Sequence, residues 1–189
     1  MFSLFRFRRG SRPVDLALGM AGIRMRERLL QVGKGDPAVF AAAAAKVGLT
    51  GQACAVVDAP DAARALERAA AEEGVLVEVT AARAGSWPYE EGSFDVALVD
   101  GNLVAVLDVR FRSALLADVR RVVRGGGRVL VVFRSPRGLA SRLGFETPAA
   151  CRGIAESLIS SMAGAGFHPV RFLAAREGMT FVEAFRPRV

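Results

Sequence analysis

Several residue types are nearly missing from this chain of 189 residues. Its two cysteines, Cys54 and Cys151, stand far apart and lack metal-ligand spacing. That excludes a disulfide framework and a cysteine-based metal centre. No window holds about eighteen uninterrupted apolar residues, so no transmembrane helix is expected. The opening "MFSLFRFRRGSRP" is basic and aromatic but has no apolar h-region or cleavage site. No secretory signal is therefore expected, and the protein reads as cytoplasmic. Lysine is scarce too: of 26 basic residues only Lys34 and Lys46 are lysines. Arginine in place of lysine, with abundant alanine and glycine, suggests a GC-rich bacterial source. The net charge of +7 permits nucleic acid, an anionic membrane or an acidic substrate without choosing among them. The arginines are scattered, and there is one Trp and one Tyr. This is no nucleic-acid-binding pattern, and no such partner is expected. The segment "FRFRRGSR" is the candidate contact to an anionic membrane or a partner; a frayed, solvated tail is the alternative.

Hydrophobic residues make up 52% and charged residues 24%, as in globular domains. The pattern predicts a basic segment and helix over 1–24 and a single domain over 25–189. Apolar "RLLQV" (28–32) reads as a strand. Asp36-Pro37 then starts a helix running to Gly48, with Asp as cap and Pro at the first helical position. Strands follow at 52–58, 75–82, 94–100 and 128–133, with helices at 59–74, 111–124 and 147–167. Thr147 is a candidate cap for the last of these. "GGG" (125–127) reads as the end of a helix. Two final strands flank "REGM" and must be antiparallel neighbours. The alternation predicts an α/β, doubly wound, Rossmann-like three-layer sandwich. Its seven-stranded sheet is mostly parallel, with a C-terminal antiparallel hairpin.

Such sheets bind ligands beyond the carboxyl ends of their strands. Gly33–Asp36 follow the first strand, Asp58 ends the second and Arg83 follows the third. Asp100, Gly101 and Asn102 follow the fourth, and Arg134 and Ser135 the fifth. All share one rim. Gly33 and Gly35 allow a tight turn and a close backbone approach. Asp58 can accept both hydroxyl protons of a ribose, or cap the next helix, as could Asp61. Asp100 is the acid/base candidate, or else a turn aspartate bonding the backbone of "DGN". Trp87 and Tyr89 form an apolar wall beside the rim, or pack on the sheet edge. His168, the only histidine, falls at the amino end of its strand, away from the site.

Taken together, "LLQVGKGDP", "AVVDAPDAARALERAAAEEG", "WPYEEGSFDVALV" and "LLADVRRVVRGGGRVLVV" resemble, in order, the motifs of class I S-adenosylmethionine-dependent methyltransferases. The likeness is to the small-molecule branch similar to ubiquinone/menaquinone C-methyltransferases, and the closing hairpin fits as well. The resemblance implies S-adenosylmethionine as cofactor, held by Gly33, Lys34, Gly35, Asp36, Asp58, Ala59, Arg83, Ala84 and Asp100, and a small-molecule methyl acceptor. It also implies a lid drawn from 1–24 or 135–147. Three positions depart from the family pattern. Gln31 replaces an acidic residue, Pro37 a third glycine, and Arg83 an acidic residue that commonly meets the adenine amino group. A methyltransferase-fold protein that has lost catalysis and serves as a binding or scaffold module is thus the second reading. A dinucleotide-binding protein is the third, since "GKGDPA" satisfies GxGxxA.

Overall fold

The computed structural model describes residues 12–106, 109–134 and 148–188. The basic opening, Ser135 and Thr147 lie outside these residues, as does the segment 135–147. The chain alternates between α1 (Arg12–Ala21), β1 (Arg28–Val32), α2 (Pro37–Val47), β2 (Gln52–Val57), α3 (Pro60–Glu73) and β3 (Glu78–Ala81). It continues with β4 (Phe94–Asp100), α4 (Gly101–Val106), α5 (Val109–Val122), β5 (Val123–Arg134), α6 (Pro148–Gly164), β6 (Val170–Arg176) and β7 (Met179–Phe185).

One seven-stranded sheet has the order β3-β2-β1-β4-β5-β7-β6. The first five strands pair in parallel, and β7 runs antiparallel to both β5 and β6. Central strands buried on both faces need apolar side chains on both, and "VLVV" or "VALV" supplies them. Leu30, Val56, Val99 and Val131 face a core closed by Leu115 and Val119 of α5 and Leu158 and Met162 of α6. Leu29, Val57, Leu98 and Leu130 face a second core closed by Val14 and Ala17 of α1, Phe40 and Val47 of α2 and Leu66 of α3. Phe40 is fully buried, and truncating such a ring to alanine costs about 3–5 kcal/mol. No helix among the described residues is long and apolar enough to cross a membrane.

The sequence reading and the structure part at two places. Helix α4 is absent from the sequence reading; it follows Asp100 directly, and its first residue must be small. A Cβ on Gly101 would stand 2.6 Å from Cγ of Phe133. The "GGG" does not end a helix, because α5 stops at Val122 and the glycines lie inside β5. There the register against β4 slips between Phe94 and Val96. A Cβ on Gly127 would come within 2.6 Å of Val123 Cγ1 and 3.0 Å of the Asp95 carbonyl. The glycines serve this bulge. Of the two readings given for Trp87 and Tyr89, packing on the sheet is the one observed. Trp87 is 6% exposed, Tyr89 stacks edge-on to Phe94 at 5.0 Å, and its hydroxyl donates to the Ala55 carbonyl at 3.3 Å.

Several arginines bind inside the fold at the amino ends of the strands. Arg186 donates from Nη1 to the carbonyls of Arg120, Arg121 and Val123 at 2.8–3.0 Å, closing the end of α5. Arg128 donates to the carbonyls of Ala21, the last residue of α1, and Gly22, and pairs with Glu27 at 2.6 Å. Asp95 accepts from the Arg28 N–H at 2.8 Å and from Arg124 Nε at 2.5 Å. These bonds satisfy terminal helix carbonyls and partly buried carboxylates, so part of the basic surplus is committed to the fold.

Candidate active site

The order of strands reverses between β1 and β4, which opens a crevice at their carboxyl ends. The turn after β1 lies there. Gly33 and Gly35 both have positive φ, +76° and +52°, which glycine adopts without the steric cost other residues meet. The Gly33 N–H donates to the Val56 carbonyl at 2.8 Å, which seats the turn beside the end of β2. Space is as tight as the backbone angles. A Cβ on Gly33 would meet Leu103 Cδ2 at 2.8 Å, and one on Gly35 would meet Gln31 Nε2 at 2.7 Å.

Two side chains hold this turn from below. Gln31 is 4% exposed, and its Nε2 donates to the Gly33 carbonyl at 3.1 Å and the Val32 carbonyl at 3.4 Å. A carboxylate at that position could not do this, having no proton to donate. Asp100 accepts the Gly35 N–H on Oδ2 at 3.1 Å. On Oδ1 it accepts the N–H groups of Asn102 at 3.0 Å and Leu103 at 3.4 Å. It therefore caps α4 and ties β4 to the glycine turn.

Asp36 caps α2 by accepting the Ala38 N–H at 3.0 Å, with Pro37 at the first helical position. Proline there forfeits only an N–H that the helix could not use. The second oxygen of Asp36 pairs with Arg134 at the end of β5. Beneath this pair is a cavity of about 70 Å³, with Val39, Leu98, Val132 and Met179 in its wall. Small-molecule pockets usually measure about 300–1,000 Å³, so this recess, which Gln31, Asp36, Asp100, Asn102 and Arg134 also line, is too small for a nucleoside.

Asp58 stands exposed after β2. It does not cap α3: the cap residue is Ala59, without a side-chain bond, and Asp61 pairs with Arg64 instead. Among the described residues Asp58 has no hydrogen-bond or ion-pair partner, so its carboxylate is available to a ligand. Lys34 and Arg83 are exposed, and Ala84 is half-buried against the core below α5. His168 is exposed before β6, and its backbone N–H donates to the Phe185 carbonyl at 2.9 Å.

Sequence reasoning missed Asp118 and Arg121 of α5. Asp118 is 6% exposed, and its Oδ2 accepts the Gly85 N–H at 2.5 Å. Arg121 donates to the carbonyls of Trp87, at 3.2 Å, and Tyr89, and pairs with Asp118 at 3.2 Å. The i, i+3 spacing foretells the pair but not its target, which is a distant loop. Elsewhere, burial first, then the charge and hydrogen bond of Glu78, push the Cys54 thiol up to about 12. That thiol is inert and lies inside the core. No group of three or more His, Cys, Asp or Glu that could hold a metal ion occurs among the described residues.

A seven-stranded sheet closed by an antiparallel hairpin, with a glycine turn after β1 and a carboxylate after β2, defines a Rossmann-like methyltransferase fold. Residues 29–127, more than half of the chain, match the methyltransferase domain family, and the chain belongs to it. An S-adenosylmethionine-dependent methyltransferase from Aquifex aeolicus shares the fold with a TM-score of 0.73 at 14% identity, over 92% of this chain and 89% of the other. The S-adenosylmethionine-dependent methyltransferase SibL matches with a TM-score of 0.66 at 25% identity, over 93% of this chain but 54% of SibL. The [4+2]-cyclase SpnF matches with a TM-score of 0.66 at 18% identity, over 94% of this chain and 82% of the other. No match is found among curated protein sequences.

Proposed function

We propose that the chain is an S-adenosylmethionine-dependent methyltransferase acting on a small molecule, in the branch similar to ubiquinone and menaquinone C-methyltransferases. Family membership and the solved neighbours support S-adenosylmethionine as the cofactor. The observation that carries the reading is the uncommitted carboxylate of Asp58 beside a glycine turn braced by Asp100. A carboxylate there suits the two hydroxyls of a ribose. Gly33, Lys34, Gly35 and Asp36 would hold the cofactor on one side, with Asp58, Ala59, Arg83 and Ala84 on the other. When bound, the cofactor supplies a methyl group on a positively charged sulfur.

Displacement at such a carbon depends on alignment and exclusion of water more than on a side-chain base. With three backbone donors on its carboxylate, Asp100 serves as a positioning residue that fixes the glycine turn and the start of α4. The recess walled by Val39, Leu98, Val132 and Met179 supports an acceptor with a small apolar group. A cytoplasmic location fits this chemistry.

Calorimetric titration with S-adenosylhomocysteine tests the reading. Wild-type protein is expected to bind, and Asp58→Ala to weaken binding about tenfold or more. Absence of binding by wild-type protein would overturn it. A second reading, a fold that binds without transferring a methyl group, is favoured by Arg83, whose guanidinium cannot accept the adenine amino hydrogen. SpnF, named as a [4+2]-cyclase, gives the fold another use. Transfer of an isotopically labelled methyl group to any small molecule would reject this second reading.

A further inference from the structure

We propose that Asp118 and Arg121 of α5 are positioning residues for the adenine end of the cofactor, holding the loop after β3 in the shape that reads the base. The proposal rests on the cofactor reading above. The loop starts where the Ala82 N–H donates to the Val57 carbonyl at 2.9 Å, one residue before Asp58. Residues 83–85 therefore flank the ribose carboxylate. From there the backbone is tied at nearly every step. The Arg83 carbonyl accepts from the Ser86 N–H at 3.1 Å and the Ser86 hydroxyl at 2.9 Å. Asp118 takes the Gly85 N–H, and Arg121 takes the carbonyls of Trp87 and Tyr89. Among the described residues Ala84 enters no hydrogen bond, which leaves its N–H and C=O as a donor and acceptor for a ligand.

Two facts make this anchoring matter for recognition. The side chain at position 83 is a guanidinium, which has no acceptor for an amino group. Recognition of adenine then falls to backbone atoms, and these cannot swing to compensate as a long side chain can. Backbone recognition needs a rigid support. The support also carries a desolvation penalty. The Asp118 carboxylate is buried while the Arg121 side chain is still 38% exposed, and a buried carboxylate is retained with benefit only when its hydrogen bonds are satisfied. Here those bonds go to the loop: both carboxylate oxygens and both terminal nitrogens of Arg121 have partners. Gly85 adopts φ +90°, which only glycine accepts readily, and its N–H is the one Asp118 takes.

The test is calorimetric titration with S-adenosylhomocysteine and with S-inosylhomocysteine, in which oxygen replaces the adenine amino group. Wild-type protein is expected to prefer the adenosyl ligand about tenfold or more, because a site built on hydrogen bonds rejects a mismatched edge. Asp118→Ala is expected to bring that ratio towards one. Arg121→Lys, which cannot span both carbonyls, should do the same if Asp118→Ala fails to fold. Asp118→Asn keeps an acceptor for the Gly85 N–H and should recover much of the preference. An unchanged ratio, or equal weakening of both ligands, would overturn the proposal, since a merely structural role moves both together. Wild-type protein that binds both ligands equally would overturn it as well. Wild-type protein that binds neither would overturn the cofactor reading, and this proposal with it.

Discussion

Asp36 and Arg134 form an ion pair that joins the start of α2 to the end of β5 across the apolar recess. Asp36 also caps α2, so its two oxygens do separate jobs. Asp36→Ala is expected to cost about 1 kcal/mol for the lost cap. Arg134→Ala removes only a half-exposed pair, a loss of at most about 1 kcal/mol that salt should erase. Urea unfolding of both variants at low and high salt checks this. The Asp36→Ala deficit should survive salt, and equal deficits at high salt would contradict the division of labour.

Gln31→Glu should destabilise the protein by about 1–3 kcal/mol at neutral pH, although it restores the acidic residue usual in the family. An ionised carboxylate would face the carbonyls of Val32 and Gly33 with nothing to donate. In its protonated form the new side chain regains a donor. Its folded pKa should therefore be raised, and the variant should be less impaired in acid than at neutral pH. Urea midpoints of variant and wild type across that range give the comparison.

Asp95 predicts an acid-side dependence. Burial alone would raise its pKa. The Arg28 N–H and the Arg124 side chain, aided by the charges of both arginines, more than reverse this and hold it below its ordinary 3.8. A lowered folded pKa means stability that is present above the unfolded value and lost as pH falls through the folded one. The difference in thermal midpoint between wild type and Asp95→Asn should be constant above about pH 5. It should shrink as pH falls below 3.8. A gap that does not change in acid would refute the role given to these bonds.

Cys54 should be silent towards thiol reagents. With a pKa near 12, the folded thiol is ionised in about one molecule in ten thousand at pH 8. In a Cys151→Ser background, disulfide-exchange reagents should label nothing until denaturant is added. The raised value also means that Cys54 favours the folded state below 9.0, and that this contribution fades as pH rises towards 12. Rapid labelling under native conditions would contradict its burial.

Much of the scaffold was legible because period and punctuation agree. "RLLQV" and "FDVALVD" give β1 and β4 with their observed bounds, and Asp36-Pro37 opens α2 as a cap followed by proline should. The errors have a common origin in contacts made far along the chain. Nothing local in "GGG" tells a helix end from a bulge, because the decision lies with Asp95 and Val123, and the end of α5 is closed by Arg186 from beyond β7. Trp87 beside Pro88 looks like a surface loop until Arg121 draws its carbonyl onto α5. At the rim, strand ends located the candidates by topology alone. That Asp58 does not cap α3 needed coordinates, because Ala59 rather than an aspartate occupies the cap position.

The strand order carries a consequence for how the chain is made. β7 is the last strand to be synthesised, yet it lies between β5 and β6. Until Met179–Phe185 emerge, the outer edge of β5 has no partner strand, and β6 packs on α6 with no strand to pair with. An apolar edge waiting open is the kind of surface that recruits another chain. Forms lacking β7 thus carry two unpaired strand edges, and of the seven strands it is the one that joins last in chain order which closes the sheet.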